Sequence, residues 1–392
     1  MGHLTSRNQI AASAATLLIK SISLVLCVGP ITFAQAQEAH RKSTDESWTA
    51  TAETSVDNAN PMRTTESHAK SGDRETDKRT VEVLGPDGRY VPVSDTETET
   101  VRVNATTTRT VVHIYKLDWN GRRELVQATE EEARTIASGD VHLVRTTSRS
   151  DVNGNFEVIE RQVSDTKKTS PDSQDTKTTV YRPDGYGGLG MSTQSEELQQ
   201  RGADDSVEVK KTTQRPDGNG GWKVSESTKT IIKQEGTSRT TEERVFRPDA
   251  YGAISEISRT VGVVAKTTAG GRSNTVDTYS LDVSGMARDG NLHVNQRITG
   301  IEKKQLDGEI AEQQVQQPNP DDPYAGTQVI AKTKYTVLYG ATGKQQTKVV
   351  EARDSYGNFY VVSFETRKSG QARPAQVPTT PSDIRPQPQS RY

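Results

Sequence analysis

An aspartate followed three residues later by glycine recurs at almost fixed intervals along this 392-residue chain. The pairs are Asp118/Gly121, Asp151/Gly154, Asp184/Gly187, Asp217/Gly220, Asp249/Gly252 and Asp282/Gly285, in steps of 33, 33, 33, 32 and 33 residues. Gly88 lies 33 residues before Gly121, and "LGPDGRYVPV" aligns with "LDWNGRRELV". A last copy, Asp354-Ser-Tyr-Gly357-Asn-Phe359, follows an irregular stretch at 286–350 that holds Pro318 and Pro323. A fixed period of this size implies tandem copies of one supersecondary unit, each packed on its neighbours.

The chemistry of the repeated residues says which unit. A type I turn favours aspartate first and glycine fourth, where the chain enters positive φ. The carboxylate can accept the backbone N–H two residues on, and glycine takes the left-handed conformation without a Cβ clash. Pro183, Pro216 and Pro248 stand before the aspartate and lack an N–H, so each belongs where strand pairing ends. "QRPDGNGGWKVSESTK", residues 214 to 229, thus reads as a hairpin turn followed by a strand.

The flanks alternate with period 2. Two residues after each glycine come Tyr90, Arg123, Phe156, Leu189, Trp222, Ile254, Ala287 and Phe359, and two further on Pro92, Leu125, Val158, Met191, Val224, Glu256, Asp289 and Val361. Four residues before the aspartate, Ile114, Val180 and Val245 alternate with Thr147, Thr213 and Thr278, and one residue later, on the opposite face, stand Tyr115, Tyr181, Phe246 and Tyr279. A second turn falls midway, at 137–140, 201–205, 234–238 and 268–273. Helical periodicity is absent, and Thr and Val stand where a helical repeat needs Ala and Leu. The expected fold is all-β: tandem β-hairpin repeats with a period of about 33 residues, forming a long antiparallel meander of up to about sixteen strands, as an open or curled sheet with disordered termini. An outer-membrane barrel is the less favoured closure, because strands such as "SVEVKKTTQR" and "TETETVRV" give no unbroken apolar series to face lipid.

Composition bounds the rest. Hydrophobic residues are 31%, so any core is thin or distributed. Residues 1–36 read as a secretory signal peptide: Arg7 and Lys20 precede the apolar run 21–33, and Ala34-Gln35-Ala36 supplies small residues for cleavage. Cleavage there removes Cys27, the one cysteine, and takes the formal charge from -2 to -4. The expected mature chain has no disulfide, no thiolate ligand and no transmembrane span, and it is exported to the periplasm, cell surface or exterior. Residues 37–79 are expected as a disordered polar leader with Trp48 incidental, 80–368 as the repeat domain, and 369–392 as a Pro-rich disordered tail.

Tests for chemistry end in plain structural readings. The six histidines never fall close enough in sequence for a local chelate, and "DGNGGW" lacks the third ligand and late glutamate of a calcium loop. "YGATGKQQ" at 339–346 is too short for a phosphate loop. No nucleophile motif occurs, so the chain is expected to be no enzyme and to need no cofactor or metal. The near-balanced charge argues against nucleic acid as a partner. The candidate ligand-binding residues are the aromatics Tyr90, Phe156, Trp222 and Phe359, or the opposite ladder of Tyr115, Tyr181, Phe246 and Tyr279. Either could stack on sugar rings, and cross-strand pairing beside the turns accounts for them equally.

"VYRPDGYGGL", "VFRPDAYGAI" and "ARDSYGNFY" resemble the bacterial YD (Rhs-type) repeats, β-hairpin units built round a Tyr-Asp-x-x-Gly turn in exported shells and surface proteins. The resemblance covers roughly residues 80 to 365 in rhythm. The period here is longer, and Arg-Pro or Leu replaces the tyrosine before the aspartate in several copies. It implies architecture only. The function expected is an exported, non-enzymatic repeat protein of the envelope or exterior, a structural spacer or adhesive surface whose partners are surface polysaccharide or other envelope components. The alternatives are a carbohydrate-binding array using the aromatics, an outer-membrane barrel, or a secreted hydrolase.

Overall fold

A computed structural model describes residues 45–371 except 57–59, 137, 152, 268–269, 282–290, 320–325, 341–342 and 355. The signal peptide, Cys27, the tail beyond 371, and the Asp282/Gly285 turn with Ala287 and Asp289 lie outside the described residues.

The described chain is a run of strands: β1 Asp45–Val56, β2 Met62–Ser71, β3 Arg74–Leu84, β4 Tyr90–Arg102, β5 Thr107–Leu117, β6 Arg123–Thr135, β7 Val141–Ser150, β8 Phe156–Ser170, β9 Ser173–Pro183 and β10 Leu189–Arg201. It continues as β11 Val207–Pro216, β12 Trp222–Glu235, β13 Ser238–Pro248, β14 Ile254–Lys266, β15 Arg272–Leu281, β16 Leu292–Lys304, β17 Gly308–Pro318, β18 Thr327–Gly340, β19 Gly343–Arg353 and β20 Phe359–Gln371. Each strand pairs antiparallel with the next in sequence, as expected of a meander.

The sheet does not stay open. β20 pairs antiparallel with β1, from Trp48 opposite Gln371 to Val56 opposite Ser363, so every strand has two neighbours and the twenty form a closed barrel. An open or curled sheet is thereby corrected, and so is the YD-type likeness, which implied an open hairpin array. The structural spacer or adhesive surface expected above is corrected with it, since that reading took the sheet to be long and flat. Closure satisfies the edge N–H and C=O groups that an open ribbon would expose to aggregation.

Four strands more than expected have two sources. The segment expected as a disordered leader supplies β1, β2 and the start of β3. Its Thr-Ala and Thr-Glu alternation pairs with partners despite carrying little apolar surface. The irregular region 286–350 holds β16, β17, β18 and most of β19, in register with the rest.

The turns are as read. Gly121 N donates to Asp118 O at 2.9 Å and Asp118 N to Arg122 O at 3.1 Å, closing a hairpin with a left-handed glycine at φ 76°. At the opposite end, the midway turns carry Gly139, Asp205, Gly236 and Gly270 in the same region, Asp205 being the one non-glycine among the described residues with positive φ.

One device went unread in the sequence. In each even-numbered strand from β4 to β20 an extra residue interrupts pairing: Val93, Val126, Ile159, Ser192, Ser225, Ile257, Asn295, Ile330 and Val362. Seven of them lie five residues after a turn glycine. Such bulges bend the strand and raise its local twist. They also switch which parity faces which way, so that Tyr90 and Asp95 share a face.

The two faces differ. Following partners across the sheet, Ala50, Ile298, Val315, Ala331, Thr333, Val337 and Val350 lie on one face, and these are seven of the eight buried non-glycine residues of the described chain. That face also carries hydroxyls paired across strands, as Thr100–Thr110 at 3.1 Å, Thr129–Thr147 at 3.3 Å, Ser164–Thr178 at 2.9 Å and Thr166–Thr176 at 2.9 Å, and ion pairs such as Arg182–Glu160 at 2.9 Å and Arg247–Glu226 at 2.8 Å. The eighth buried residue, Asp95, lies on the other face.

Candidate functional site: an apolar collar at one rim

In an antiparallel ring successive turns alternate between the two ends, so all the Asp-x-x-Gly hairpins gather at one rim. Their aspartates hold the rim rigidly. Oδ1 of Asp118 accepts N–H from Asn120 and Arg122 at 2.9 and 2.8 Å, and that of Asp217 from Asn219 and Gly221 at 2.7 and 2.9 Å. Asp151, Asp184, Asp249 and Asp354 repeat the arrangement. Hydrogen bonds from Asn219 and Gly221 lower the pKa of Asp217, and those from Tyr186 and Gly188 lower that of Asp184. These oxygens serve the backbone, as a turn requires.

Beside these turns the face opposite the buried cluster is rich in apolar side chains, interrupted by Arg123 opposite Leu117, Glu82 opposite Pro92 and Glu351 opposite Val361. Register places Pro183 opposite Leu189 and Tyr181 opposite Met191, Trp222 opposite Pro216, Pro248 opposite Ile254, and Leu281 opposite Leu292 with Tyr279 opposite Val294. Tyr115 faces Leu125, and Leu84 faces Tyr90. The two aromatic columns expected on opposite ladders thus stand on one face: within a hairpin the two columns belong to directly paired positions, and the bulge beyond them keeps successive hairpins on that face. The loop before Leu292 is longer than the repeat predicts, so Leu292 and Val294 occupy the positions assigned above to Ala287 and Asp289.

Several of these side chains are open to solvent: Phe156 is 42% exposed, Ile254 57% and Val361 52%. At the turn tips Trp119, Tyr186, Tyr251 and Tyr356 project almost fully, at 86%, 97%, 97% and 89%. Exposed apolar side chains stand at the opposite rim too, at Val103, Ile136, Leu306 and Tyr339, but the four nearly bare aromatics all tip this one, and such a cluster marks an interaction surface.

The proposed sugar-stacking residues do not come together. Tyr90, Phe156 and Trp222 sit on β4, β8 and β12, each four strands from the next, and Phe359 lies on β20. At about 4.8 Å per strand that is roughly 19 Å between neighbours, beyond one sugar ring. Two of the faces are covered: the Arg63 guanidinium lies 4.5 Å above Tyr90 and the Lys332 ammonium 4.0 Å above Phe359.

Further from the turns the same face becomes a belt of ion pairs. Arg123 starts in the collar column opposite Leu117, but its guanidinium stacks on Tyr115 at 3.9 Å and reaches Glu97 at 2.8 Å and Asp95 at 3.4 Å, while Thr80 Oγ1 donates to Asp95 at 2.7 Å. Lys177–Glu196 at 3.1 Å, Lys229–Glu208 at 2.9 Å, Arg259–Glu256 at 2.7 Å and Arg297–Asp277 at 2.6 Å continue it. Four or five residues separate tip from belt, which for strands rising about 3.3 Å per residue and tilted roughly 40° gives a collar about 10 Å deep.

No family model and no curated protein matches this chain. Among solved structures it is similar to the siderophore receptor PirA from Acinetobacter baumannii, with 6% identity, TM-score 0.43, and 85% of this chain and 81% of that chain covered. The copper transporter OprC matches with 7% identity, TM-score 0.43, and 85% and 81% covered. OccK3 (OpdO) of Pseudomonas aeruginosa matches with 9% identity, TM-score 0.41, and 83% and 94% covered. Likenesses at these values are too distant to carry function, and the closed ring rests on its own hydrogen bonds. No helix among the described residues is long and apolar enough to cross a membrane.

Proposed function

We propose that this chain is an outer-membrane-associated β-barrel of the bacterial envelope, whose collared rim seats in one lipid leaflet and whose inner wall, lined by hydroxyls and ion pairs, forms a watery vestibule for small hydrophilic solutes. The observation that carries the reading is the collar: apolar side chains beside the turns of a closed ring, tipped by four exposed aromatics. Aromatic side chains suit the boundary between headgroups and acyl chains, and amphipathic elements bury about 5–10 Å there. The face with the buried cluster is taken as the inner one, since side chains converge on the concave side of a curved sheet and this one carries Gly262, Gly300, Ala311 and Ala331.

The belt of ion pairs sets the depth. A spanning barrel shows an apolar band about 25 Å tall, and each Arg or Lys facing lipid at mid-bilayer costs roughly 2–4 kcal/mol. Arg123, Lys177, Lys229, Arg259 and Arg297 therefore stay in water, and the barrel stands on the membrane by its rim. Twenty strands about 4.8 Å apart at a tilt of roughly 40° make a perimeter of about 125 Å, wide enough for solvent inside.

Tryptophan fluorescence with brominated phospholipids tests the depth. Bromines high on the acyl chain are expected to quench Trp119 and Trp222, and bromines near mid-bilayer to leave them bright. Absence of quenching by either lipid would overturn the membrane reading, and equal quenching by both would overturn the shallow seat.

A further inference from the structure

The β2–β3 hairpin brings three side chains with metal-ligating atoms to one place. His68 lies directly opposite Asp77, and the next pair on that face is Lys70 opposite Glu75. His68 Nδ1 is 2.8 Å from Asp77 Oδ1 and 3.9 Å from Glu75 Oε1. One ligand atom from each of His68, Glu75 and Asp77 lies within 4.8 Å of the other two, the one such trio among the described residues. Donors about 2.1 Å from a tetrahedral ion stand roughly 3.4 Å apart, so small rotations of exposed side chains close this set.

We propose that His68, Glu75 and Asp77 form a binding site for a divalent transition-metal ion, with solvent as its remaining ligand. The His68 side chain is 12% exposed, whereas Glu75 and Asp77 are 40% and 49% exposed. The nitrogen is held while the oxygens swing and an ion can enter from water. Asp77 also borders a shallow cleft of ≈ 240 Å³ with Glu66, Arg79, Thr96 and Thr98. One imidazole and two carboxylates suit manganese, iron, cobalt or zinc; calcium and magnesium prefer all-oxygen sets and copper(I) prefers sulfur. Lys70, with Nζ 3.8 Å from Glu75, is the charge the ion displaces.

The barrel contains its own control. His142 Nδ1 lies 2.7 Å from Asp165 Oδ1 in the same cross-strand relation, but no third ligand joins it among the described residues. A simple His–Asp hydrogen bond predicts that both pairs behave alike; the site predicts that they differ.

The test uses the full chain, stripped with chelator. Zn²⁺ titrated by calorimetry is expected to bind at one equivalent, and Co²⁺ to give visible d–d absorption at the same stoichiometry. His68→Ala, Glu75→Gln and Asp77→Asn should each weaken binding at least tenfold, His142→Ala less than twofold, and excess Mg²⁺ should not compete. Circular dichroism confirms that each variant folds, and in the unaltered protein Zn²⁺ should raise the unfolding temperature. Binding that survives all three substitutions, falls equally with His142→Ala, or is absent at millimolar Zn²⁺ would overturn the assignment. Because the trio lies on the face opposite the collar, its failure leaves the membrane reading untouched.

Discussion

Tyr186 tips the β9–β10 hairpin and Tyr251 the β13–β14 hairpin, and each is 97% exposed. Replacing both with serine should leave the barrel folded, since neither ring is packed on the protein. Their contribution to lipid binding follows from area. A tyrosine presents 150–250 Å² in all, of which about 80 Å² of apolar surface would leave water in the headgroup region, worth about 2 kcal/mol at 25 cal/mol per Å². Two tyrosines together contribute about 4 kcal/mol, or close to a thousandfold in partition. Vesicle flotation across a lipid titration measures this, with circular dichroism and thermal unfolding as controls on the fold. A double variant partitioning within threefold of the parent would refute Tyr186 and Tyr251 as lipid contacts, since Trp119 and Tyr356 are present in both proteins and their share cancels in the comparison.

Other expectations are briefer. Ile298 is 2% exposed beside Val315, so Ile298→Ala should lower stability by roughly 3 kcal/mol in urea unfolding. Gly220 holds φ 89° with open space around an added Cβ, so Gly220→Ala should cost about 1–2 kcal/mol of backbone strain alone. At Gly308 a Cβ would stand 1.9 Å from Val337 O, so Gly308→Ala should break the β17–β18 pairing and cost visibly more, as amide hydrogen exchange would report. The turn carboxylates of Asp151, Asp184, Asp217 and Asp354 have lowered pKa values through backbone hydrogen bonds. A pKa depressed on folding gives stability that is whole above the unfolded value near 4 and is lost as pH falls through the folded values. Urea midpoints should therefore hold from pH 7 to 5 and decline below about 4, and less so after Asp217→Ala.

What the sequence disclosed was local. Asp118, Asp217 and their repeats code for a turn through their own side chains, so the hairpins and the period were legible without any partner. Closure had no such code: the pairing of β1 with β20 joins Ala50 to Ser369, more than three hundred positions apart, through backbone groups that every residue carries. The leader was misread because "TATAETS" and "TTESHAKS" look solvated when read alone, although a strand in a ring needs little apolar surface once both neighbours are in place. The collar was half visible. Trp222 and Tyr181 were singled out, yet a strict period of two put such residues on opposing ladders, because an unpaired Ser225 or Ser192 leaves no mark in composition. The trio of His68, Glu75 and Asp77 could have been found by folding the chain at Gly72, which sets His68 against Asp77 by counting outward.

The extra residue placed at the same distance from turn after turn has a consequence for how such proteins diversify. Because every unit carries an identical bend, the circumference is a whole-number multiple of one module, and duplicating or losing a module in the gene widens or narrows the cylinder by two strands while first and last remain antiparallel. Loss of one module would shrink the perimeter by about a tenth. Aperture becomes a quantity that recombination can adjust in steps, without redesign of any single residue.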